Sequence, residues 1–448
     1  MRVKTFLFSA MFALFVFMPS RVLMAADDPG DNSGNIKEKI SLGGYSFWQV
    51  GQIVKGVDRQ YGEINHQWQN NVLIGLTIKA RPSERLSLIM NPEFFLNYPY
   101  PQINTNKNSK YPLGVAYINE ACGTYSFGDM ENPLLQASLG MFDFKYNHEG
   151  TNFGDYLFRT GTYPTYIINN FDFPAARLLG LHINSDCIKN FHADLLFTSE
   201  AFIFPLWDFS LTGIVSYKFF NAIEIGAGVD FARCLPVSDS TTSPKIGINQ
   251  NPTAYNSYIT QSGDTAYYSF KATKVMTRAT IDPKPFFGSP KLFGPDDLKL
   301  YGEICWVGVE GYNDTWSPDS LYRPWYHNLD ERTPRMVGFN FPAFRILDVL
   351  SCEVEYFPIA IPNDYSTILE SSSPMPYIKG GYSGYQKAQG ALRWSVYAKK
   401  MVVQGFSVIG EVAFDHMRTT ILDGTTQFYE ATSRPGDWHW MLKFGYSF

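Results

Sequence analysis

Large apolar residues stand at every second position along much of this chain. The clearest stretch is 72–90, where Val72, Ile74, Leu76, Ile78 and Ala80 alternate with Leu73, Gly75, Thr77 and Lys79. Successive side chains of a strand point to opposite faces, so a period of two predicts a strand with one greasy face. The turn 81–84 follows, with Pro82 blocking continuation of the ladder. Leu86, Leu88 and Met90 then return on one face, with Arg85 and Ser87 on the other. The stretch reads as a hairpin.

The pattern recurs. Ile223, Ile225, Ala227, Val229 and Phe231 alternate with Glu224, Gly226, Gly228 and Asp230. Leu350, Cys352, Val354 and Tyr356 alternate with Ser351, Glu353 and Glu355, and Leu392, Trp394, Val396 and Ala398 with Arg393, Ser395 and Lys399. Phe406, Val408, Val412 and Phe414 alternate with Ser407, Glu411 and Asp415. In all, the pattern predicts sixteen strands: 40–54, 66–80, 85–97, 114–127, 133–146, 175–184, 190–199, 209–219, 222–233, 265–281, 297–310, 335–344, 349–358, 387–399, 405–416 and 437–448. Short connections alternate with long ones. The exception is 282–296, a long connection with four prolines where a short turn is expected. It is either an ornate turn or the sign of a miscounted strand pair, which leaves 14 or 18 strands open.

A charge opposite an apolar stripe fits two architectures. In a water-soluble sandwich the stripe is the core; in a transmembrane barrel it faces lipid and the charges face a wet lumen. The two ends of the chain choose the barrel. Arg2 and Lys4 precede an apolar run over 5–18, and small residues follow at Ala25 and Ala26, the layout of a secretory signal peptide. The run is too short for a membrane-spanning helix of ~20 residues. At the other end, Trp438, Trp440, Leu442, Phe444, Tyr446 and Phe448 alternate with mostly polar or small residues. This strand resembles the terminal strand of Gram-negative outer-membrane β-barrels, with Trp440, Leu442, Phe444, Tyr446 and Phe448 as the assembly signal. The chain is thereby similar to bacterial outer-membrane porins. The expected fold is all-β, a single transmembrane antiparallel barrel over 40–448. Residues 1–26 are read as the signal peptide and 27–39 as a short periplasmic segment.

Composition sharpens the picture. Aromatic residues make up 16% of the chain, more than a soluble all-β protein needs but suited to aromatic belts at two membrane interfaces. The formal charge of −5 becomes about −8 once Arg2, Lys4 and Arg21 are removed with the leader. No basic patch suggests nucleic acid. Five scattered cysteines, at 122, 187, 234, 305 and 352, match no zinc spacing. No nucleophile elbow, zincin motif or phosphate loop is present, so no catalytic, cofactor or metal site is expected. His182 and His192 flank a tight turn with Asp186 and Asp194 nearby; solvated side chains are the expected reading, a metal pair the alternative.

The connection 147–174 carries the expected function. It is dense in Asn, Asp, Gly and aromatics, and so many aromatics must pack on something. Resemblance to sixteen-stranded porins implies that the loop after the fifth strand folds into the lumen; the alternative is a cap, with these aromatics packed against neighbouring outer loops. Asp155, Arg159, Asn169, Asn170 and Asp172 would then line a constriction opposite Glu353, Glu355, Arg393, Lys399, Glu411 and Lys443. Trp316, Tyr322, Trp325 and Tyr326 are candidate solute contacts in another long connection, able to stack on sugar rings or simply to pack with neighbouring loops. The resemblance implies a passive channel for small hydrophilic solutes. Its expected partners are outer-membrane lipid, the barrel-assembly machinery, periplasmic chaperones and two further copies in a homotrimer. A non-conducting surface barrel and an outer-membrane hydrolase remain as alternatives.

Overall fold

The structure is a computed structural model that describes residues 39–58, 62–97, 113–158, 175–200, 209–235, 257–259, 265–267, 272–288, 292–308, 330, 333–357, 391–417 and 430–448. The expected signal peptide at 1–26 and all but Lys39 of the segment 27–39 lie outside these residues.

Sixteen strands close into one antiparallel barrel. They are β1 (Lys39–Lys55), β2 (Gln67–Arg81), β3 (Leu86–Asn97), β4 (Leu113–Gly128), β5 (Pro133–Phe144), β6 (Ala176–Ser185), β7 (Phe191–Glu200) and β8 (Phe209–Phe219). The second half comprises β9 (Ile223–Leu235), β10 (Ala272–Ile281), β11 (Leu300–Trp306), β12 (Arg335–Asn340), β13 (Val349–Tyr356), β14 (Leu392–Val403), β15 (Phe406–Phe414) and β16 (Trp438–Ser447). Each strand pairs with its neighbours in the chain, and β16 pairs with β1 from Tyr45↔Ser447 to Lys55↔Trp438. Closure leaves no strand edge unpaired. Two small ribbons, Val57–Asp58 with Gly62–Glu63 and Ser257–Ile259 with Thr265–Tyr267, stand outside the ring.

The faces sort as the alternation requires. Leu76, Leu139, Ile225, Val337 and Leu392 point outward and are 50 to 66% exposed. Gln49, Asn71, Asp230, Arg278, Glu353, Arg393 and Glu411 point inward and are buried. Apolar outside and charged inside is the inverse of a water-soluble protein. The aromatic residues of β16 pack across the closing seam on the outer face: Phe444 stacks on Trp48 at 5.5 Å and Trp440 meets Trp68 edge-on at 5.6 Å.

Several strand limits differ from those expected, among them the strand expected over 387–399, which runs Leu392–Val403, and the one expected to reach 310, which ends at Trp306. The strand expected over 265–281 starts at Ala272, because 265–267 pairs with 257–259 instead. The one expected from 297 starts at Leu300, since Leu298 has φ +65 and Asp297 is turned to other work. Asp297 accepts hydrogen bonds from the N–H groups of Gly294 and Ala343. The strand expected to reach 344 ends at Asn340, ahead of Pro342. The connection 282–299 is an ornate turn holding a 3-10 helix at Lys284–Phe287, so the count of sixteen stands. Pro92 lies within β3 at a bulge, a place that tolerates its missing N–H.

Candidate functional site

The segment after β5 leaves the wall and crosses the bore. Its anchors are on β11, β13 and β15. In a ring of sixteen, β13 is the eighth strand from β5 in either direction, so it faces β5 across the diameter. A chain that leaves β5 and hydrogen-bonds to β13 has to span the interior.

Three inward carboxylates hold it. Glu303 on β11 accepts from the backbone N–H groups of Asp155 and Tyr156, both at 2.9 Å, from the Tyr146 hydroxyl at 2.6 Å and from the Asn147 amide at 2.8 Å. Glu353 on β13 accepts from the N–H groups of Thr151, Asn152 and Phe153, and from the hydroxyls of Thr151 and Tyr301. Glu411 on β15 accepts from the Asn152 amide at 2.7 Å, and the same amide reaches Asp415 at 2.8 Å. Buried carboxylates persist only when such donors answer them. The Tyr156 hydroxyl donates to Glu355 at 2.6 Å. Lys274, itself buried, donates to the Leu157 carbonyl at the end of the short 3-10 turn Tyr156–Phe158.

The segment's own sequence shapes it for this. Asp155 takes φ +56 and caps the N–H groups of Tyr146 and Asn147 through one oxygen at 3.0 Å each. Gly154 has φ +97, and a Cβ there would meet the Asn147 amide at 2.5 Å. Phe153, Tyr156, Leu157 and Phe158 are buried against inward apolar residues of the wall, among them Phe142, Phe144, Leu178, Leu196, Ile214 and Met276. Part of the bore is therefore a dry core. A second apolar cluster, with Ile53, Ile64, Tyr397, Ile409 and Met441, fills the interior near β1 and β14–β16.

The expected site residues divide accordingly. Asp155, Glu353, Glu355 and Glu411 are brought together, but as the latch of the crossing segment rather than as bare charges lining a passage. Arg393 is also engaged, donating to Glu430 and to the carbonyls of Asp415 and Thr432. Lys443 lies over the Phe47 ring at 4.2 Å. Lys399 pairs in the ladder with Val349 and Ile409, away from the segment's carboxylate anchors. Arg159, Asn169, Asn170, Asp172, Trp316, Tyr322, Trp325 and Tyr326 lie outside the described residues.

His182 and His192 do converge. Asp194 bridges them at 2.8 and 2.9 Å, and His192 also reaches Asp186 at 2.6 Å. The side chains form a hydrogen-bonded chain, and among the described residues no group of three metal-ligating side chains is placed to hold an ion. Sequence reasoning singles out none of Asn147, Asn152 and Tyr301 for the anchoring they share, and reads Glu303 only as one inward charge among several.

Comparison with solved structures finds porins. Two variants of the Rhodopseudomonas blastica porin align over 92% of this chain and 100% of their own, at 8 and 9% identity and TM-scores of 0.41 and 0.43. OmpF of Salmonella typhi, in complex with daunomycin, aligns over 92% of this chain and 98% of its own at 12% identity and a TM-score of 0.46. At such identity and overlap these likenesses add nothing to the closed ladder itself. No family model and no curated protein matches the chain.

Proposed function

We propose that the protein is an outer-membrane porin: a passive channel for small hydrophilic solutes, and not an enzyme. The observation that carries this reading is the crossing segment. A barrel with a lipid-compatible outer face and a polar inner face, narrowed by a chain latched across its diameter, is built to pass small solutes and hold back large ones. The segment and its dry core occupy the wall from β5 round to β15. The passage in this reading runs along the remaining wall, β2–β4, where Gln67, Gln69, Asn71, Asn91 and Asn119 face inward. Export by the 1–26 leader, insertion by the barrel-assembly machinery with periplasmic chaperones, and assembly as a homotrimer belong to the same reading.

Reconstitution in a planar bilayer tests it. Discrete ion-conducting steps, small for a barrel of sixteen strands, are the expected result. Burial of inward side chains on both sides of the bore favours a second reading, a barrel whose interior is closed at rest. Folded protein that inserts and never conducts would establish the second and exclude the first.

A further inference from the structure

We propose that the β1–β4 wall is a binding track for neutral, hydroxyl-rich solutes, so that the channel favours sugars over anions of similar size. The proposal rests on the channel reading and names its substrate class. Gln67, Gln69 and Asn71 sit at alternate positions of β2 and share its inward face. The strand rise spaces them about 6.6 Å apart along the wall. Asn91 on β3 and Asn119 on β4 continue the series farther along the barrel, since Asn91 lies near the level of Thr77. Each of the five side chains is more than nine-tenths buried.

All five carry an unpartnered polar atom: Gln67 Oε1, Gln69 Nε2, Asn71 Oδ1, Asn91 Oδ1 and Asn119 Oδ1. Buried polar atoms are normally paired, and on the opposite wall Glu303 and Glu353 each accept four or more hydrogen bonds. Two of the amides have their orientation fixed. Asn91 donates to Glu120 at 2.6 Å and Asn119 to Asp143 at 3.4 Å, which leaves their oxygens as the unanswered atoms. The unanswered set is uncharged and rich in acceptors, with one donor. Chloride, nitrate or sulfate has no proton to offer it. A sugar offers hydroxyls that donate and accept at every carbon. Between the two groups of amides, the Tyr45 ring covers Gly75 and supplies an apolar surface for a pyranose face.

The test compares wild type with a Gln67→Leu/Gln69→Leu/Asn71→Leu variant, folding being checked by unheated gel mobility. Two readouts are taken: potassium chloride conductance in bilayers, and swelling of liposomes in an uncharged pentose or hexose. In wild type, sugar should reduce the ion current saturably. In the variant, sugar flux relative to conductance should fall about tenfold, as expected for the loss of two or three hydrogen bonds. An unchanged ratio, or ion current indifferent to sugar in wild type, overturns the track and leaves the channel standing. Wild-type protein without conductance overturns the channel reading instead, and the track with it. If the triple variant fails to insert, Gln69→Leu and Asn71→Leu singly carry the same readouts.

Discussion

Glu353 concentrates the chemistry of the bore in one side chain. Its two oxygens answer three successive backbone N–H groups and two hydroxyls, and removing it strands all of them in a buried place. Glu353→Ala should therefore cost about 3 kcal/mol or more of docking free energy for the crossing segment. The expected outcome in single-channel recordings is a larger conductance with added flicker; a trace identical to wild type would separate the segment from the constriction. His416 offers a pH handle beyond the end of β15. Burial lowers the affinity of its imidazole for a proton, but the Glu430 and Glu355 carboxylates on its two nitrogens outweigh this and hold its pKa above the ordinary value. Arg393, which also binds Glu430, opposes that shift. A raised pKa means the contribution to stability is present below the ordinary imidazole range and lost as pH rises through the elevated value. Thermal stability in detergent should fall as pH rises above the ordinary imidazole range, and His416→Gln should flatten that slope. None of these roles is legible at the level of single residues. The glutamates of β13 read as lumen charges, which they are, but the partners that occupy them lie some two hundred positions away in sequence.

At the scale of elements, the strands were plain to read because a period of two is imposed by geometry on every one of them. The dry core was not, although the chain does carry a signal for it. Where alternation breaks into doubled apolar residues, as at Leu178–Leu179, Leu195–Leu196, Ile214–Val215 and Val275–Met276, both faces of the strand are covered. The inward member of each pair meets the crossing segment. Two tight turns show a different departure. Phe220 with Asn221, and Phe344 with Arg345, all take positive φ, a conformation that turn sequences usually give to Asn and Gly. Phe344 packs against the Phe293 ring at 5.8 Å, whereas we find no packing reason for the aromatic at 220. Glycine has a clearer role at 338. The Tyr301 ring of β11 lies over it, where a Cβ would come within 2.3 Å, and from there the hydroxyl reaches Glu353. Gly338→Val should displace that ring and loosen the latch from behind. Conductance should shift in the same direction as for Glu353→Ala but by less, and a shift in the opposite direction would break the link.

For the whole molecule, the segment and the ring depend on each other. The segment has no core of its own, and the interior apolar residues from β5 round to β12 pack against it. Replacing 148–157 by a short flexible linker should therefore lower the thermal unfolding temperature as well as widen the pore. A wider pore at unchanged stability would mean that the apolar wall finds cover elsewhere.

The diametric placement also has a mechanical side. A ring pinned across one diameter resists ovalisation along that line and remains compliant along the perpendicular one. Here the pinned line runs from β5 to β13, and the perpendicular runs from β1 to β9. In the channel reading, lateral pressure from lipid would be borne stiffly on the first axis and taken up as bending on the second. The strands that flex are then β1 and its neighbours, which carry the amide side chains and the closing seam with β16.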